Sequence, residues 1–532
     1  MRIVTPKEMK ELEAISREEY QFDDKLIIEN VGIMGAERIV QKLGEDITNC
    51  EVIFFIGNGN NGADGLSIAR HMMKFGIQPR AFMLFDEKQS SIEMTYQTKK
   101  AKAFGVKIHV ATDVAEIESY FSQVAAPKVI IDAIFGTGVR FPLPQHLYDT
   151  INLINNYSSY TVSLDIPTGI EGEFGSCHGN AVKADMTLAV GLPKLGYYQG
   201  EGAKLIGEIE HLEIGFPTQL TNEGGDKFLL TKESLSLIES DESRNKFGDK
   251  KLFGHTLVIG GSHGLTGAPV MAATAALKVG AGLVTACTWE PQYHEMMFRL
   301  IPEIMTGYIP NDQAKWGRVL QDINKYDSIV VGPGLARSTR SRKLVLEILN
   351  NFSGPIVLDA DAINVLSMKE DSGVFAMRNA PTVLTPHLGE FARFSGLSIE
   401  EVSKKPFHHL REVIERINCS VILKGPCTYL GLAHGETYFN FSPNDGMATG
   451  GVGDVLAGIL GGLLSQEANL KKRDSLYNIY ENMKHTILQA VLVHTEAGKF
   501  AVQKHGVRTM TATSLIEFFP EAFKSIDGQE HE

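Results

Sequence analysis

Cysteine is scarce in this sequence. There are five in 532 residues (Cys50, Cys177, Cys287, Cys419 and Cys427), scattered and with no C-x-x-C pair. That pattern excludes a disulfide scaffold and a zinc-finger-type site, and it fits reduced thiols in a cytoplasmic protein. Long apolar runs are missing too. The run VLAGILGGLL at 455–464 is about half the ~20 apolar residues a membrane span needs, so it reads as a buried helix. The opening MRIVTPKEMKELEAISREEY is too charged for a secretory signal. Basic clusters are absent, with 51 Lys+Arg against 64 Asp+Glu and a net charge of −13. Such a surface repels nucleic acid and anionic membrane, so neither is expected as a partner. Small molecules are expected instead, bound by a homo-oligomer. An anionic substrate then has to be captured by local backbone N–H groups against the overall field.

Two familiar nucleotide signatures are also lacking. No GxxxxGK[ST] occurs, which excludes a P-loop enzyme. A GxGxxG does occur within 57–65, but no acidic residue ends the next strand about 20 positions on, where a hydride-transferring enzyme binds its ribose. There is no short-period repeat, and the two halves share no obvious motif. A fusion of two different enzymes is expected, not a duplication.

What is present is an ordinary globular balance, 43% hydrophobic and 22% charged, in a length suited to two large α/β units. Residues 6–43 have helical spacing and predict two helices. Apolar, β-rich runs follow at 51–56, 80–85, 128–131, 160–164 and 186–190, separated by amphipathic stretches. The alternation predicts a parallel sheet covered by helices on both faces. Composition then turns polar and breaker-rich between 216 and 251. A second alternation has strands expected at 256–259, 283–287, 328–331, 355–358, 382–384 and 420–423. The expected organisation is a first domain at 1–216, a linker at 217–245, a second domain at 246–519 and a frayed tail at 520–532.

In the first half, GNGNNGADG at 57–65 follows a strand and opens a helix. Glycines admit a phosphate close to the backbone, and the helix start offers oriented N–H groups. The asparagine and aspartate side chains exceed what phosphate cradling needs and supply oxygens suited to a hard cation. Asp132 and Asp165 each end a strand and precede a glycine-containing loop, which brings both to the ligand edge of the sheet. Taken in order, GNGNNGADG, DAIFGTGVRFPLP and SLDIPTGI resemble the NAD(P)H-hydrate epimerase family, with Ala63 where that family usually has glycine. The resemblance implies a Rossmann-like doubly wound sheet. It implies that Asn60, Asn61, Gly62, Ala63 and Asp64, with Gly136, Thr137, Gly138, Val139, Arg140, Phe141 and Pro142, bind the hydrated dinucleotide. It further implies that Asn61, Asp132 and Thr168 coordinate K+, and that Asp165 is catalytic at the reacting ring.

In the second half, the strongest signal is NDGMATGGVGD at 444–454, which runs into the apolar helix. Glycines ahead of a helix start build an anion hole for a migrating phosphoryl group, and Asp454 sits where it can take a proton from an attacking hydroxyl. GGSHGLTGAPV at 260–270, VVGPGLARS at 330–338, VLDADAIN at 357–364, LTPHLGEFARF at 384–394 and VILKGPCT at 421–428 accompany it. In this order they resemble the NAD(P)H-hydrate dehydratase family, whose domain is ribokinase-like α/β. Two departures are GGVGD, with Val452 for the usual threonine, and GPGLARS, which lacks a further glycine. The resemblance implies that Ala268, Gly334, His387 and Asp454 contact the hydrate, with Asp454 catalytic. Lys424, Gly425, Pro426, Cys427, Thr428 and Gly453 would contact ADP or ATP carrying Mg2+, and the fused two-domain members resemble ADP users. Together the halves would repair NADHX and NADPHX, by epimerising the R and S forms and dehydrating the S form to NAD(P)H with AMP (or ADP) and phosphate. The alternative is a small-molecule kinase of the ribokinase superfamily with a non-catalytic dinucleotide-binding first domain.

Overall fold

The computed structural model describes residues 1–86, 88, 90–111, 113–222, 224–236, 248–471 and 479–527. The chain divides into two compact units, Met1–Lys227 and Phe228–Glu532.

The first unit is built on seven parallel strands: β1 (Glu51–Ile56), β2 (Arg80–Met83), β3 (Lys107–Val110), β4 (Lys128–Ala133), β5 (Tyr160–Leu164), β6 (Met186–Val190) and β7 (Glu208–Leu212). Their order is β3-β2-β1-β4-β5-β6-β7. The central strands are apolar runs buried on both faces, as helices on both sides of a parallel sheet require. The chain leaves β1 toward β2 and β3, then returns to the other side of β1 as β4. The direction of winding therefore reverses between β1 and β4, and a ligand crevice opens beyond their carboxyl ends. Ahead of the sheet lie the two expected helices, Pro6–Tyr20 and Asp24–Leu43. Thr5 starts the first, its hydroxyl accepting from the Glu8 amide (3.2 Å) while the Glu8 carboxylate accepts from the Thr5 amide (2.6 Å). Gly32 and Gly35 let the second helix cross closely over Asn60–Met72, since a Cβ on Gly32 would fall 2.0 Å from Ser67 Oγ.

The second unit carries a ten-stranded sheet: β8 (Lys227–Leu229), β9 (His255–Ile259), β10 (Leu283–Trp289), β11 (Met305–Ile309), β12 (Ser328–Val331), β13 (Ile356–Leu358), β14 (Thr382–Leu384), β15 (Ser420–Leu423), β16 (Cys427–Gly431) and β17 (Thr437–Phe441). The order is β11-β10-β9-β12-β13-β14-β15-β16-β17-β8. The sheet is parallel from β11 to β15, and β15 to β17 form an antiparallel extension. Winding reverses between β9 and β12, which defines a second crevice. The apolar run at 455–464 lies inside the helix Val452–Lys471 and is buried. Gly458 and Gly462 press that helix onto Gly267–Lys278, with a Cβ on Gly458 only 2.1 Å from the Ala272 carbonyl oxygen. Among the described residues no helix is long and apolar enough to cross a membrane.

Two boundaries differ from the sequence-based expectation. The stretch expected to link the domains holds a helix (Thr218–Asn222), strand β8 and a helix (Lys232–Ser236), so the second sheet begins before residue 246. Residues 237–247 of that stretch lie outside the described residues. The expected tail begins with a helix, Phe519–Ile526, which buries Phe519 and Ala522; only 528–532 lie outside the described residues.

Candidate active sites

At the crevice of the first unit lies a cavity of about 350 Å³, lined by residues that include Glu13, Asp24, Asn60, Asn61, Asp64, Gly136, Thr137, Gly138, Asp165 and Lys194. Asn60 opens the helix after β1, with Gly59 as its N-cap and no side-chain cap. Gly62 is obligatory there, because a Cβ would sit 2.1 Å from the Gly57 carbonyl oxygen. Ala63 turns its methyl into the apolar core beneath the loop, so the departure from glycine leaves the cavity untouched. Val139, Arg140, Phe141 and Pro142 continue beyond the cavity lining. There the Phe141 ring lies 4.6 Å from that of His178, and Arg140 is exposed.

Asp165 follows β5 with φ +66°, a left-handed conformation that non-glycine residues rarely hold without support. The support is visible. Its carbonyl accepts from the Tyr197 hydroxyl, its Oδ2 accepts from the Thr137 amide (3.1 Å), and Lys194 makes an ion pair with Oδ1. The Lys194 side chain is 2% exposed and its ammonium also donates to the Val190 carbonyl (2.7 Å). Glu13 reaches the same cavity from the first helix; burial, then the Asp165 carboxylate, raises its pKa. Burial, then Asp165 and Glu13, pushes the Asp64 carboxyl well above the usual range, with Lys194 opposing.

Asp132 is fully buried beside the cavity. Its oxygens accept from Thr168 Oγ1 (2.7 Å), the Thr168 amide (2.8 Å), Ser163 Oγ (3.0 Å) and the Ile134 amide (3.3 Å). Thr168 Oγ1 in turn accepts from the Phe135 amide (3.2 Å), so the pair braces the loop 134–138. All four partners of Asp132 are neutral, and burial raises its pKa. The Asn61 side-chain nitrogen is buried without a hydrogen-bond partner.

In the second unit, Ala268 and Gly334 meet at the winding reversal, a Cβ on Gly334 falling 3.3 Å from the Ala268 Cβ. Gly334 has φ +61° and needs glycine for that turn. Asp454 lies in the first turn of Val452–Lys471, after Gly451 at φ +94°. The Val455 amide already bonds the Gly451 carbonyl (3.0 Å), and the amides of 452–454 precede that bond at the helix N-terminus. Val452 sends its side chain into the apolar core, and its carbonyl meets His494 Nε2 (3.0 Å). Lys424, just after β15, bonds Asp359 Oδ1 (2.9 Å), and its ammonium lies 3.1 Å from where a Gly453 Cβ would stand. Burial, with Asp359 adding and Lys424 opposing, raises Asp454 to about 7. Burial would lower Lys424, but Asp359, Glu390 and Asp454 outweigh it and its pKa rises.

His387 caps the helix Leu388–Ser395, its Nδ1 accepting from the amides of Gly389 (3.0 Å) and Glu390 (3.4 Å). Its ring is 60% exposed, and the strand-like bridge between His387 and Lys424 ties both to one rim. Gly425 and Pro426 form the exposed turn into β16, and Thr428 Oγ1 donates to the Gly425 carbonyl (3.3 Å). Cys427 buries its thiol in the interior, leaving only its backbone for a ligand.

Sequence reasoning missed Glu13, Lys194, Asp359 as the partner of Lys424, and His494. Lys194 carried a faint signal, a lone lysine amid GLPKLGYY. Glu13 and His494 sit in ordinary helical patterns, and only folding brings them to the sites.

A family model described as NAD(P)H-hydrate dehydratase matches residues 256–521, and one described as YjeF-related protein N-terminus matches 25–196. The chain is 32% identical to the bifunctional NAD(P)H-hydrate repair enzyme Nnr of Moorella thermoacetica, covering 99% of this chain and 98% of the relative. It is 30% identical to the protein of that name from Thermofilum pendens, over 99% and 97%. Against the one from Escherichia coli it is 29% identical, over 86% and 82%. Among solved structures, the ADP/ATP-dependent NAD(P)H-hydrate dehydratase of Bacillus subtilis co-crystallized with ATP/Mg2+ aligns at 25% identity and a TM-score of 0.47, over 56% of this chain and 98% of that one.

Proposed function

The chain belongs to the family of bifunctional NAD(P)H-hydrate repair enzymes, and on that premise we propose that residues 1–216 interconvert R- and S-NAD(P)HX while 246–519 dehydrate the S form at the expense of ADP or ATP. The observation that carries the reading is Asp454, an acid of pKa about 7 at a glycine-rich helix start beside Lys424.

In the second unit, Asp454 removes the proton of the C6 hydroxyl as that oxygen attacks the terminal phosphorus. The amides of 452–454 hold the migrating phosphoryl group, and Lys424 neutralises nucleotide phosphate. Hydroxide is a poor leaving group and phosphate a good one. Departure of phosphate from C6 with a proton from C5 then restores the conjugated dihydropyridine. Mg2+ would enter on the nucleotide's phosphates, whose charge it neutralises. The carboxylates of Asp359, Glu390 and Asp454 against one Lys424 fit such a divalent charge. Ala268, Gly334 and His387 would bound the hydrate, and 424–428 with Gly453 the nucleotide.

In the first unit, Asn60 to Asp64 and Gly136 to Pro142 would hold the hydrate, with Asp165 moving the proton at C6. Oxygens of Asn61, Asp132 and Thr168 suit K+. The buried Asp132 carboxylate has only neutral partners, and a monovalent cation would offset its charge and steady the loop 134–138. A homo-oligomer in the cytoplasm remains the expected setting.

Asp454→Ala is expected to lower dehydratase turnover about 10²–10⁴-fold with an unchanged thermal transition. S-NADHX, nucleotide and absorbance of the reduced cofactor make the assay, and near-normal turnover would refute the role.

A further inference from the structure

Two carboxyl groups that face the first-unit cavity have different surroundings. Asp165 Oδ2 accepts from the Thr137 N–H, and Oδ1 is ion-paired with the Lys194 ammonium. Asp64 is 8% exposed and its Oδ1 is buried with no hydrogen-bond partner, although the residue lines the same cavity. An ionised carboxylate left so would carry a large desolvation penalty, whereas a neutral carboxylic acid would not. The other ionisable groups around the cavity are Glu13 and Lys10 from the helix Pro6–Tyr20, Asp24 at the start of the next helix, and Lys194 after β6. Lys194 is already committed to Asp165.

We propose that Asp64 is the proton donor of the epimerisation and that it shares one exchangeable proton with Asp165 across the hydrated ring. The inference rests on the epimerase reading of the first unit. Asp64 gives its proton to the C6 hydroxyl. The C6–O bond breaks with its electron pair going to the departing water, and the ring-nitrogen lone pair forms the N1=C6 iminium. Water then adds to C6 from the opposite face, the iminium electrons return to N1, and the surplus proton of that water passes to Asp165. Substrate and water are conserved, C6 is inverted, and one proton has moved from Asp64 to Asp165. The reverse epimerisation runs with the proton starting on Asp165, or solvent exchange returns it to Asp64. Burial, then the neighbouring Asp165 and Glu13 carboxyls, pushes the Asp64 pKa well above the usual carboxyl range against the opposing Lys194, which favours its protonated form. The acidic walls of the cavity suit the uncharged pyridine end of the substrate.

The test uses purified full-length protein and R-NADHX without nucleotide, with the R and S forms separated by chromatography. Asp64→Asn is expected to lower kcat about 10²–10⁴-fold with KM changed only a few-fold, while nucleotide-driven dehydration of S-NADHX is unaltered. Wild-type kcat/KM falls as pH rises through the titration of Asp64. That limb vanishes in Asp64→Asn, returns with part of the rate in Asp64→Glu, and moves to lower pH in Glu13→Gln. Wild-type protein unable to interconvert the epimers would refute the epimerase reading itself. Interconversion by wild type with Asp64→Asn at full kcat, or slowed but keeping the alkaline limb, would overturn the proton-donor role. If Asp64→Asn does not fold, the limb in Glu13→Gln decides: an unmoved limb overturns the proposal.

Discussion

A general base works best when its pKa lies near the working pH, and Asp454, raised to about 7 by burial with Asp359 close by, meets that condition. The carboxyl is a base only when ionised. Dehydratase kcat/KM should therefore be low at pH 5.5–6 and rise through about pH 7 as the proton leaves. Lys424 opposes the shift, so Lys424→Met should move that limb to higher pH besides weakening nucleotide binding; Asp359→Asn should move it lower. Profiles measured with S-NADHX at saturating nucleotide check both signs, and a limb that stays fixed in both variants excludes this electrostatic account. Asp454 was legible in the sequence because glycines ahead of an aspartate at a helix start have few other uses. Its neighbour Asp359 was visible only as one of two aspartates in VLDADAIN; nothing local told which of them met Lys424, 65 positions on. Glu13 was less legible still, since a glutamate in a charged amphipathic helix looks like a solvated one.

Secondary structure was readable where burial on both faces leaves an unbroken apolar run. The strands at 51–56, 160–164, 186–190, 328–331, 382–384 and 420–423 coincide with β1, β5, β6, β12, β14 and β15. The strands not anticipated lie toward sheet edges or in the antiparallel extension: β3, β7, β8, β11, β16 and β17. β3 is KIHV and mostly exposed, so no apolar run marks it. Topology was beyond the sequence, because the winding reversals that open both crevices depend on which strands pair. Glycines in the helix Val452–Lys471 serve close packing against Gly267–Lys278, and the geometry gives that packing a number. A Cβ on Gly458 would stand 2.1 Å from the Ala272 carbonyl oxygen, a backbone atom that cannot step aside. Gly458→Ala should therefore push the two helices apart and cost about 1–3 kcal/mol, read as an earlier unfolding transition together with lost dehydratase activity. Gly62→Ala meets the Gly57 carbonyl at 2.1 Å and should instead abolish epimerisation, leaving dehydration of S-NADHX intact.

At the scale of the chain, two compact units carry two different chemistries that share a substrate. Each stereoisomer of the hydrate then has a route back to the reduced cofactor. Asp165→Asn should bind the dinucleotide normally yet fail to interconvert its epimers. Given an equal mixture of R- and S-NADHX with nucleotide, that variant should recover about half of the reduced cofactor, apart from uncatalysed epimerisation, where the wild type recovers nearly all of it. The net charge of −13 fits this division, since neither unit relies on a basic surface. On the proposed reading the local work falls to backbone amides at helix starts and to two lysines, the buried Lys194 and the partly buried Lys424. The decisive assay is stereochemically pure R-NADHX incubated with the purified protein, with and without ADP or ATP. Without nucleotide the protein should make only the S form. Adding the preferred nucleotide should return reduced-cofactor absorbance with one inorganic phosphate per turnover. R-NADHX left untouched, or a stable phosphorylated product accumulating in place of NADH, would contradict it.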